Sequence, residues 1–307
     1  MAGFLQVLKF YAKSVLFGTI LAGCGLFGVI SSILLKLIGK EEYAQYVVAR
    51  AFYYTFSKIM QIKVVVKNGH RLDERPAIFI SNHQSALDIL ILGRVFGVGT
   101  TVTAKSVLKY VPFLGWFMLA SGTFFLDRAR GDKAKAVLDK ALQNMKSRNR
   151  AIYIFAEGTR SGSEKLELLP FKKGAFHLAQ QGKIPVVPLV VSNTSNIFNA
   201  KNKVFNTGEI VIDVLAPQPS TQLESKEDVD KYCTSIRLKM QSTYEKLGYS
   251  TSPIWTANKK RLTSPSKTPL VDGNDSGFVD IDVSSVKSDV ESIEIIDETT
   301  PLAHSND

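Results

Sequence analysis

The amino-acid sequence predicts an α/β domain with a largely parallel sheet flanked by helices, preceded by an N-terminal membrane helix. Short β-branched apolar runs recur from residue 62 onward, helical stretches fall between them, and a long uncharged segment lies near the N-terminus. Apolar runs without strict alternation are typical of parallel strands that are covered on both faces. With 307 residues, 45% of them apolar and 21% charged, the chain can form one such domain plus appendages.

The uncharged segment, residues 14–35, lies between Lys13 and Lys36. As a helix it would be about 33 Å long, enough for a hydrocarbon core of about 30 Å, so we predict a transmembrane helix. A signal peptide is the competing interpretation, but its apolar region runs only about 7–15 residues. A buried core helix is the third. Lysines balance on the two sides and give no orientation.

Residues 43–60 form a second apolar stretch, which contains four tyrosines together with Arg50 and Lys58. Amphipathic tyrosines and long cations favour a helix at the membrane interface. An amphipathic helix packed on the domain fits the same pattern equally well. Residues 1–60 are therefore interpreted as a membrane anchor.

The α/β domain is predicted over residues 61–249. Its expected strands are residues 62–66, 77–81, 100–104, 123–126, 151–155, 186–191 and 209–215. Its expected helices are residues 85–95, 132–148, 171–181 and 226–247. The last helix ends before Gly248, a residue type that is common just after a helix C-terminus.

Charge divides the chain into a basic body and an acidic tail. The net charge is +10, but residues 263–307 hold ten Asp or Glu and two Lys, so the preceding residues carry +18. A body this basic favours an anionic partner, and the uncharged segment favours a phospholipid membrane over nucleic acid. Residues 250–307, rich in Ser, Thr, Asp and Pro, predict a disordered acidic tail. The two cysteines, Cys24 and Cys233, indicate neither a disulfide framework nor a zinc site.

His83 and Asp88 lie five positions apart, just after the apolar run 77–80. A carboxylate can hold a histidine in one tautomer, so the pair can act as a general base where a strand ends and a helix begins. The alternative is a histidine at a helix start that is capped by a local acid. The sequence has no G-x-S-x-G elbow and no cysteine nearby, which favours direct attack by a bound hydroxyl over a covalent enzyme intermediate.

A second group, Glu157-Gly158-Thr159-Arg160, follows the expected strand 151–155. Glycine permits close backbone approach, threonine offers a hydroxyl, and the planar arginine fork suits a phosphate monoester. An Arg–Glu pair on a surface turn is the alternative. Lys105 is either a further cation near an acceptor or a solvated loop lysine.

Four clusters occur in a fixed order along the chain: residues 82–88 (NHQSALD), 122–128 (GTFFLDR), 155–161 (FAEGTRS) and 184–188 (IPVVP). Over residues 75–195 this order resembles the four blocks of the glycerolipid acyltransferase family, and it is most similar to fungal 1-acylglycerol-3-phosphate acyltransferases. The resemblance implies a glycerol-phosphate acyltransferase-like fold and transfer of an acyl chain from acyl-CoA, a co-substrate, without a bound cofactor or metal.

The resemblance also implies roles for individual residues. His83 would be the base with Asp88; Gly158, Thr159, Arg160 and Arg128 would bind the acceptor phosphate. Glu157 would bind or position that site, and Gly122 would shape a strand entry. Ile184, Pro185, Val186 and Pro188 would lie on the acyl-chain side, although plain core is an equally good interpretation. Ala156 stands where the family usually has proline, which puts the rigidity of that turn in doubt.

These observations lead us to expect a membrane-anchored enzyme that makes phosphatidic acid from acyl-CoA and lysophosphatidic acid. The resemblance places such an enzyme in the endoplasmic reticulum membrane, with its domain on the cytosolic face, or at lipid droplets. The rivals are the same chemistry on glycerol 3-phosphate or another lysophospholipid, a non-catalytic lipid-binding protein, and a hydrolase. The uncharged run 111–126, too short to span a bilayer, could line an acyl channel or dip into the interface.

Overall fold

The computed structural model describes residues 2–126 and 131–253. Arg128 and the predicted acidic tail from residue 254 onward lie outside these ranges.

A seven-stranded sheet forms the centre of the domain, in the order β1-β9-β6-β2-β5-β3-β4. Every neighbouring pair is parallel except β6 and β9, which are antiparallel, so the predicted largely parallel sheet is confirmed. β7 and β8 form a separate two-stranded hairpin. The strands are β1 (Ile62–Lys67), β2 (Ala77–Ser81), β3 (Thr100–Lys105), β4 (Phe124–Leu126), β5 (Ala151–Phe155), β6 (Val186–Val191), β7 (Phe198–Asn199), β8 (Val204–Phe205) and β9 (Gly208–Val214).

Helices cover both faces of this sheet. The α-helices are α1 (Ala2–Leu37), α2 (Ala44–Met60), α3 (Asp88–Val95), α4 (Leu114–Ala120), α5 (Gly131–Ser147), α6 (Gly174–Gly182) and α7 (Lys226–Leu247). Shorter 3-10 helices occupy Glu41–Tyr43, Gly69–Asp73 and Ser106–Tyr110. Helix α7 has the predicted bounds, and a capping box between Ser225 and Asp228 explains its start.

Two helices begin later than the sequence pattern predicts, because hydrogen bonds hold the preceding residues elsewhere. The Asp88 carboxylate accepts from the N–H groups of Gln84 and Ser85, which makes residues 84–87 a turn before α3. The N–H of Lys172 donates to the carbonyl of Ala156, which ties the chain before α6 to the end of β5.

Alternate residues of the strands contribute to two separate hydrophobic clusters, one on each face of the sheet. On β2, Phe79 packs with α2 and α3 on one face, whereas Ile78 and Ile80 pack on the other, in the cluster that α5, α6 and α7 contribute to. All five residues of β2 are buried. This burial on both sides explains why the strand sequence shows no alternation.

Helix α1 is one continuous helix that contains the predicted segment 14–35, and it is long and apolar enough to cross a membrane. One side packs on the domain over much of its length: Phe10 contacts the ring of Phe205, and Phe17 contacts Phe56. The other side exposes large apolar residues from Phe4 to Leu37. Helix α2 buries Phe52 and Phe56 against this core, as a helix packed on the domain does.

Candidate active site

His83 and Asp88 meet at the carboxyl end of β2. Nδ1 of His83 lies 2.6 Å from Oδ2 of Asp88, and the same oxygen accepts the backbone N–H groups of Gln84 and Ser85 at 2.8 and 3.1 Å. An oxygen with three such neighbours is an acceptor, so the proton of the contact belongs to Nδ1. The other ring nitrogen, Nε2, is therefore the one that can take up a proton.

The surroundings of the pair hold the imidazole in place. The side chain of Asp88 is only 3% exposed, whereas that of His83 is 18% exposed and borders a cavity. The ring of Phe155, at the end of β5, stacks on the His83 ring with 4.0 Å between centroids. Hydrogen bond and stacking together fix the ring while leaving one edge accessible.

Glu157 binds the backbone of the turn that contains His83. Its Oε1 accepts the backbone N–H of His83 at 2.9 Å, and its Oε2 accepts the N–H of Leu169 at 3.2 Å. Burial raises the pKa of this carboxyl to about 7, although the two backbone hydrogen bonds work in the opposite direction. Glu157 is buried and bonded to backbone amides, an arrangement that differs from the surface Arg–Glu pair considered from sequence.

Two amide side chains that the sequence analysis passed over attach this turn to β6. Asn82 exchanges two 2.9 Å hydrogen bonds with the backbone of Val191. Gln84 donates to the carbonyl of Ser192 and accepts from the N–H of Thr194. Both lie inside the motif that contains His83, and their position beside that histidine is the sequence signal that could have identified them.

A cavity of about 430 Å³ opens beside His83, and it has one polar end and one apolar end. The polar end is lined by His83, Asp88, Lys105 and the Gly158-Thr159-Arg160 turn. The apolar end is lined by side chains from four helices and from β3, among them Leu21, Cys24, Phe52, Leu92, Val102 and Phe117. A cavity of this kind can hold an anionic headgroup near the base and an apolar chain beyond it.

The structure brings most of the expected site residues together. Lys105, Gly158, Thr159 and Arg160 border the cavity with the His83–Asp88 pair, whereas Glu157 contacts the pair through the backbone of His83. Gly122 is exposed with a positive φ of 77° and lies beside Thr123, which borders the cavity. Arg128 lies outside the described residues. In residues 2–126 and 131–253 no three His, Cys, Asp or Glu side chains are grouped as metal ligands.

The residues expected on the acyl-chain side do not border this cavity. Ile184 and Val186 are buried in the cluster on the opposite face of the sheet, under α6 and α7. Pro188 pairs in register with Ile80, whose side chain also faces that cluster. Pro185 precedes β6, and its carbonyl accepts the N–H of Ile78. These four residues therefore belong to the hydrophobic core, which is the alternative interpretation that the sequence left open.

Ala156, which stands where the family usually has proline, makes a hydrogen bond that proline could not make. Its N–H donates to the carbonyl of Ser81 at 3.1 Å, which extends the hydrogen bonding between β5 and β2 by one residue. Proline has no N–H to donate. The turn that carries Glu157 is therefore tied to the strand that precedes His83.

Fold and site together define an α/β protein with a hydrogen-bonded histidine–carboxylate pair beside a cavity that both polar and apolar residues line. A family model described as "Acyltransferase" matches residues 63–192. The chain is 51% identical over 241 residues to the 1-acyl-sn-glycerol-3-phosphate acyltransferase of Saccharomyces cerevisiae, covering 78% of this chain and 79% of that one. It is 34% identical over 194 residues to the human 1-acyl-sn-glycerol-3-phosphate acyltransferase beta, covering 63% and 69%.

The chain belongs to the acyltransferase family. Its fold is also that of a solved structure, the 1-acyl-sn-glycerophosphate (LPA) acyltransferase PlsC from Thermotoga maritima. That match has a TM-score of 0.60 at 24% identity and covers 79% of this chain and 96% of the other.

Proposed function

We propose that this enzyme transfers the acyl group of acyl-CoA to the sn-2 hydroxyl of 1-acylglycerol 3-phosphate, giving phosphatidic acid for phospholipid and triacylglycerol biosynthesis. The observation that carries the proposal is the 2.6 Å contact between His83 and Asp88 beside a cavity with cationic and apolar ends. The names of the yeast and human relatives support the choice of acceptor.

The chemistry requires one proton transfer in each direction. Nε2 of His83 takes the proton of the sn-2 hydroxyl as its oxygen bonds to the thioester carbonyl carbon. The Asp88 carboxylate stabilises the resulting imidazolium. When the tetrahedral intermediate collapses, the C–S bond breaks and the imidazolium returns the proton to the leaving thiolate. The products are phosphatidic acid and free CoA, and His83 is again neutral.

Two cations of the polar end are suited to the acceptor phosphate. Arg160 is exposed, borders the cavity and can bind a phosphate monoester through two parallel N–H groups, whereas Lys105, also exposed at the cavity, can act as a point charge. The amide and hydroxyl of Thr159 lie on the same turn. The family resemblance adds Arg128 to this set.

The apolar end of the cavity is suited to an acyl chain. Its lining comes from α1, α2, α3, α4 and β3, and it includes the small residues Gly25, Ala49 and Gly93. An apolar chain that enters this space gains about 0.8 kcal/mol for each buried methylene group. This proposed location differs from the acyl-chain side that the family resemblance implied for Ile184, Pro185, Val186 and Pro188.

The N-terminal helix supports membrane association. Because α1 packs on the domain from Phe10 to Gly28, a crossing orientation would draw the domain into the bilayer with it. We therefore propose that α1 lies in one leaflet with its apolar side in the lipid, and that the domain faces the cytosol. The endoplasmic reticulum membrane, or the lipid droplet surface, is the corresponding location.

An acceptor panel tests the function. Purified full-length protein is incubated with labelled acyl-CoA and lysophosphatidic acid, glycerol 3-phosphate, lysophosphatidylcholine or no acceptor. We expect labelled phosphatidic acid with the first acceptor, none with His83→Ala, and wild-type rates with His177→Ala, whose histidine is exposed on α6. Preference for another acceptor, fatty acid release without one, or full activity of His83→Ala would refute the proposal.

A further inference from the structure

Residues 106–120, here called the 106–120 segment, are apolar on two sides. The segment consists of the 3-10 helix Ser106–Tyr110 and helix α4. Its inner side, formed by Leu108, Leu114, Phe117 and Met118, borders the cavity. Its outer side exposes large side chains: Tyr110 is 83% exposed, Val107 62%, Leu119 54% and Trp116 53%. Exposed apolar patches of this kind mark interaction surfaces.

The segment is held together as one unit. A Cβ added at Gly115 would lie 2.3 Å from the carbonyl oxygen of Lys109, so α4 and the 3-10 helix touch backbone to backbone. The outer apolar side chains are therefore presented by a compact element. Trp116 and Tyr110 are therefore exposed although the segment that carries them is closely packed.

Helix α1 contacts the segment equally closely. A Cβ at Gly25 would lie 3.0 Å from the backbone of Phe113, and one at Gly28 would lie 2.5 Å from the ring of Phe117. The segment thus adjoins the helix whose exposed side we have assigned to the membrane. Because this apolar surface is continuous with the membrane-facing side of α1, we expect it to contact lipid as well.

The charges and aromatic residues of this region also favour a lipid surface. Residues 100–126 contain no Asp or Glu, and their two cations are Lys105 and Lys109. Tyrosine and tryptophan concentrate at the membrane–water interface, where lysine can extend toward anionic headgroups. A second copy of the chain would be the other occupant, but it would not need this combination of aromatic residues and lysines without an acidic residue.

We propose that the 106–120 segment is a second membrane-docking element, which inserts Tyr110, Trp116 and Leu119 into a phospholipid monolayer beside α1. The inference rests on the proposed membrane-bound acyltransferase. The consequence is that the 106–120 segment forms one wall of the cavity and is itself embedded in lipid. This segment then separates an acyl chain in the cavity from the surrounding bilayer.

Tryptophan fluorescence tests this placement directly, because the chain has only two tryptophans, Trp116 and Trp255. The variant Trp255→Phe is reconstituted into phosphatidylcholine vesicles with anionic lipid, with or without dibrominated phosphatidylcholine. We expect brominated lipid to quench at least half of the Trp116 emission, and the vesicles to protect it from acrylamide.

A matched control carries its tryptophan on the other face of the sheet. The triple variant Trp116→Phe, Trp255→Phe, Leu238→Trp places the probe on α7, where Leu238 is 60% exposed. Its emission should be quenched by acrylamide and not by brominated lipid. Trp116 emission that brominated lipid leaves unchanged overturns the proposal, and simultaneous protection from acrylamide would assign the surface to a second protein copy.

Kinetics provide an independent readout. Trp116→Ser combined with Leu119→Ser should raise KM for lysophosphatidic acid in vesicles several-fold, while the rate on a water-soluble short-chain lysophosphatidate stays unchanged. Equal loss on both substrates would indicate a folding defect and refute docking as the cause. A protein that shows lipid quenching but makes no phosphatidic acid would refute the proposed function and leave the docking surface standing.

Discussion

The carboxylate of Glu157 accepts the backbone N–H of His83 at 2.9 Å, so the residue that follows β5 and Ala156 holds the main chain of the histidine that follows β2. Its second oxygen is bonded to Leu169, and the whole side chain is buried. Glu157 does not border the cavity itself. We therefore propose that Glu157 positions His83 and the adjacent Gly158-Thr159-Arg160 turn.

Glu157→Gln should change how stability depends on pH. Because burial raises the folded pKa of Glu157 to about 7 from an ordinary value near 4.5, its contribution to folding is fully present below pH 4.5, falls as the pH rises toward 7 and is constant above that. The loss amounts to a few kcal/mol at most. Thermal unfolding of the wild type and the variant in detergent between pH 5 and 8 measures this contribution. We expect the Tm of the wild type minus that of the variant to fall as the pH rises. A difference that stays constant would contradict the burial argument.

Asp88→Asn should lower kcat by about 10³-fold and leave KM for lysophosphatidic acid nearly unchanged. The amide cannot stabilise an imidazolium as a carboxylate does, and its nitrogen can present a donor to Nδ1 of His83. Initial rates at saturating and limiting acceptor separate the two parameters. The control is Asp230→Asn, an exposed acid on α7 that pairs with Lys173. A variant that retains more than a tenth of the wild-type kcat would show that Asp88 is not the partner the base requires.

The main strands and the His83–Asp88 contact could be predicted because both are local in sequence. β2 and β5 have the predicted bounds, and the turn between Ser81 and Asp88 contains both members of the pair. Which face of the sheet a residue occupies was harder to predict. Phe155 and Ile154 are neighbours in one apolar run, yet only Phe155 reaches His83, since adjacent strand residues point to opposite faces.

The apolar end of the cavity could not be predicted, because its walls come from distant parts of the chain. Cys24 on α1, Ala49 on α2 and Phe117 on α4 meet only after these helices pack together. Gly25 and Gly28 make that packing close, but glycines in an apolar helix have many possible causes. The helix–helix contacts were therefore needed to distinguish a cavity from an ordinary core.

Arg160→Ala should raise KM for lysophosphatidic acid by about 10- to 100-fold, the equivalent of one or two charge-assisted hydrogen bonds. Arg160→Lys should recover only part of the loss, since lysine keeps the charge but not the two parallel N–H groups. Steady-state kinetics against acceptor concentration provide the measurement. Arg148→Ala is the control, because Arg148 pairs with Glu41 and does not border the cavity. Equal KM values in both variants would remove Arg160 from the phosphate site.

Val102→Phe should shift the enzyme toward shorter acyl-CoA donors, because Val102 on β3 borders the apolar end of the cavity and a phenyl ring would fill part of it. Overpacking of this kind costs about 1–3 kcal/mol, so the variant should still fold if its ring enters the cavity. Competition between labelled acyl-CoA species of several lengths measures the preference within one reaction. The matched comparison is Ile184→Val, which lies on the opposite face of the sheet and should cost about 0.5–1.5 kcal/mol of stability without changing the preferred length. If Ile184→Val shifts the preference and Val102→Phe does not, the acyl chain lies on the side that the family resemblance implied, and the cavity beside α1–α4 is not its binding site.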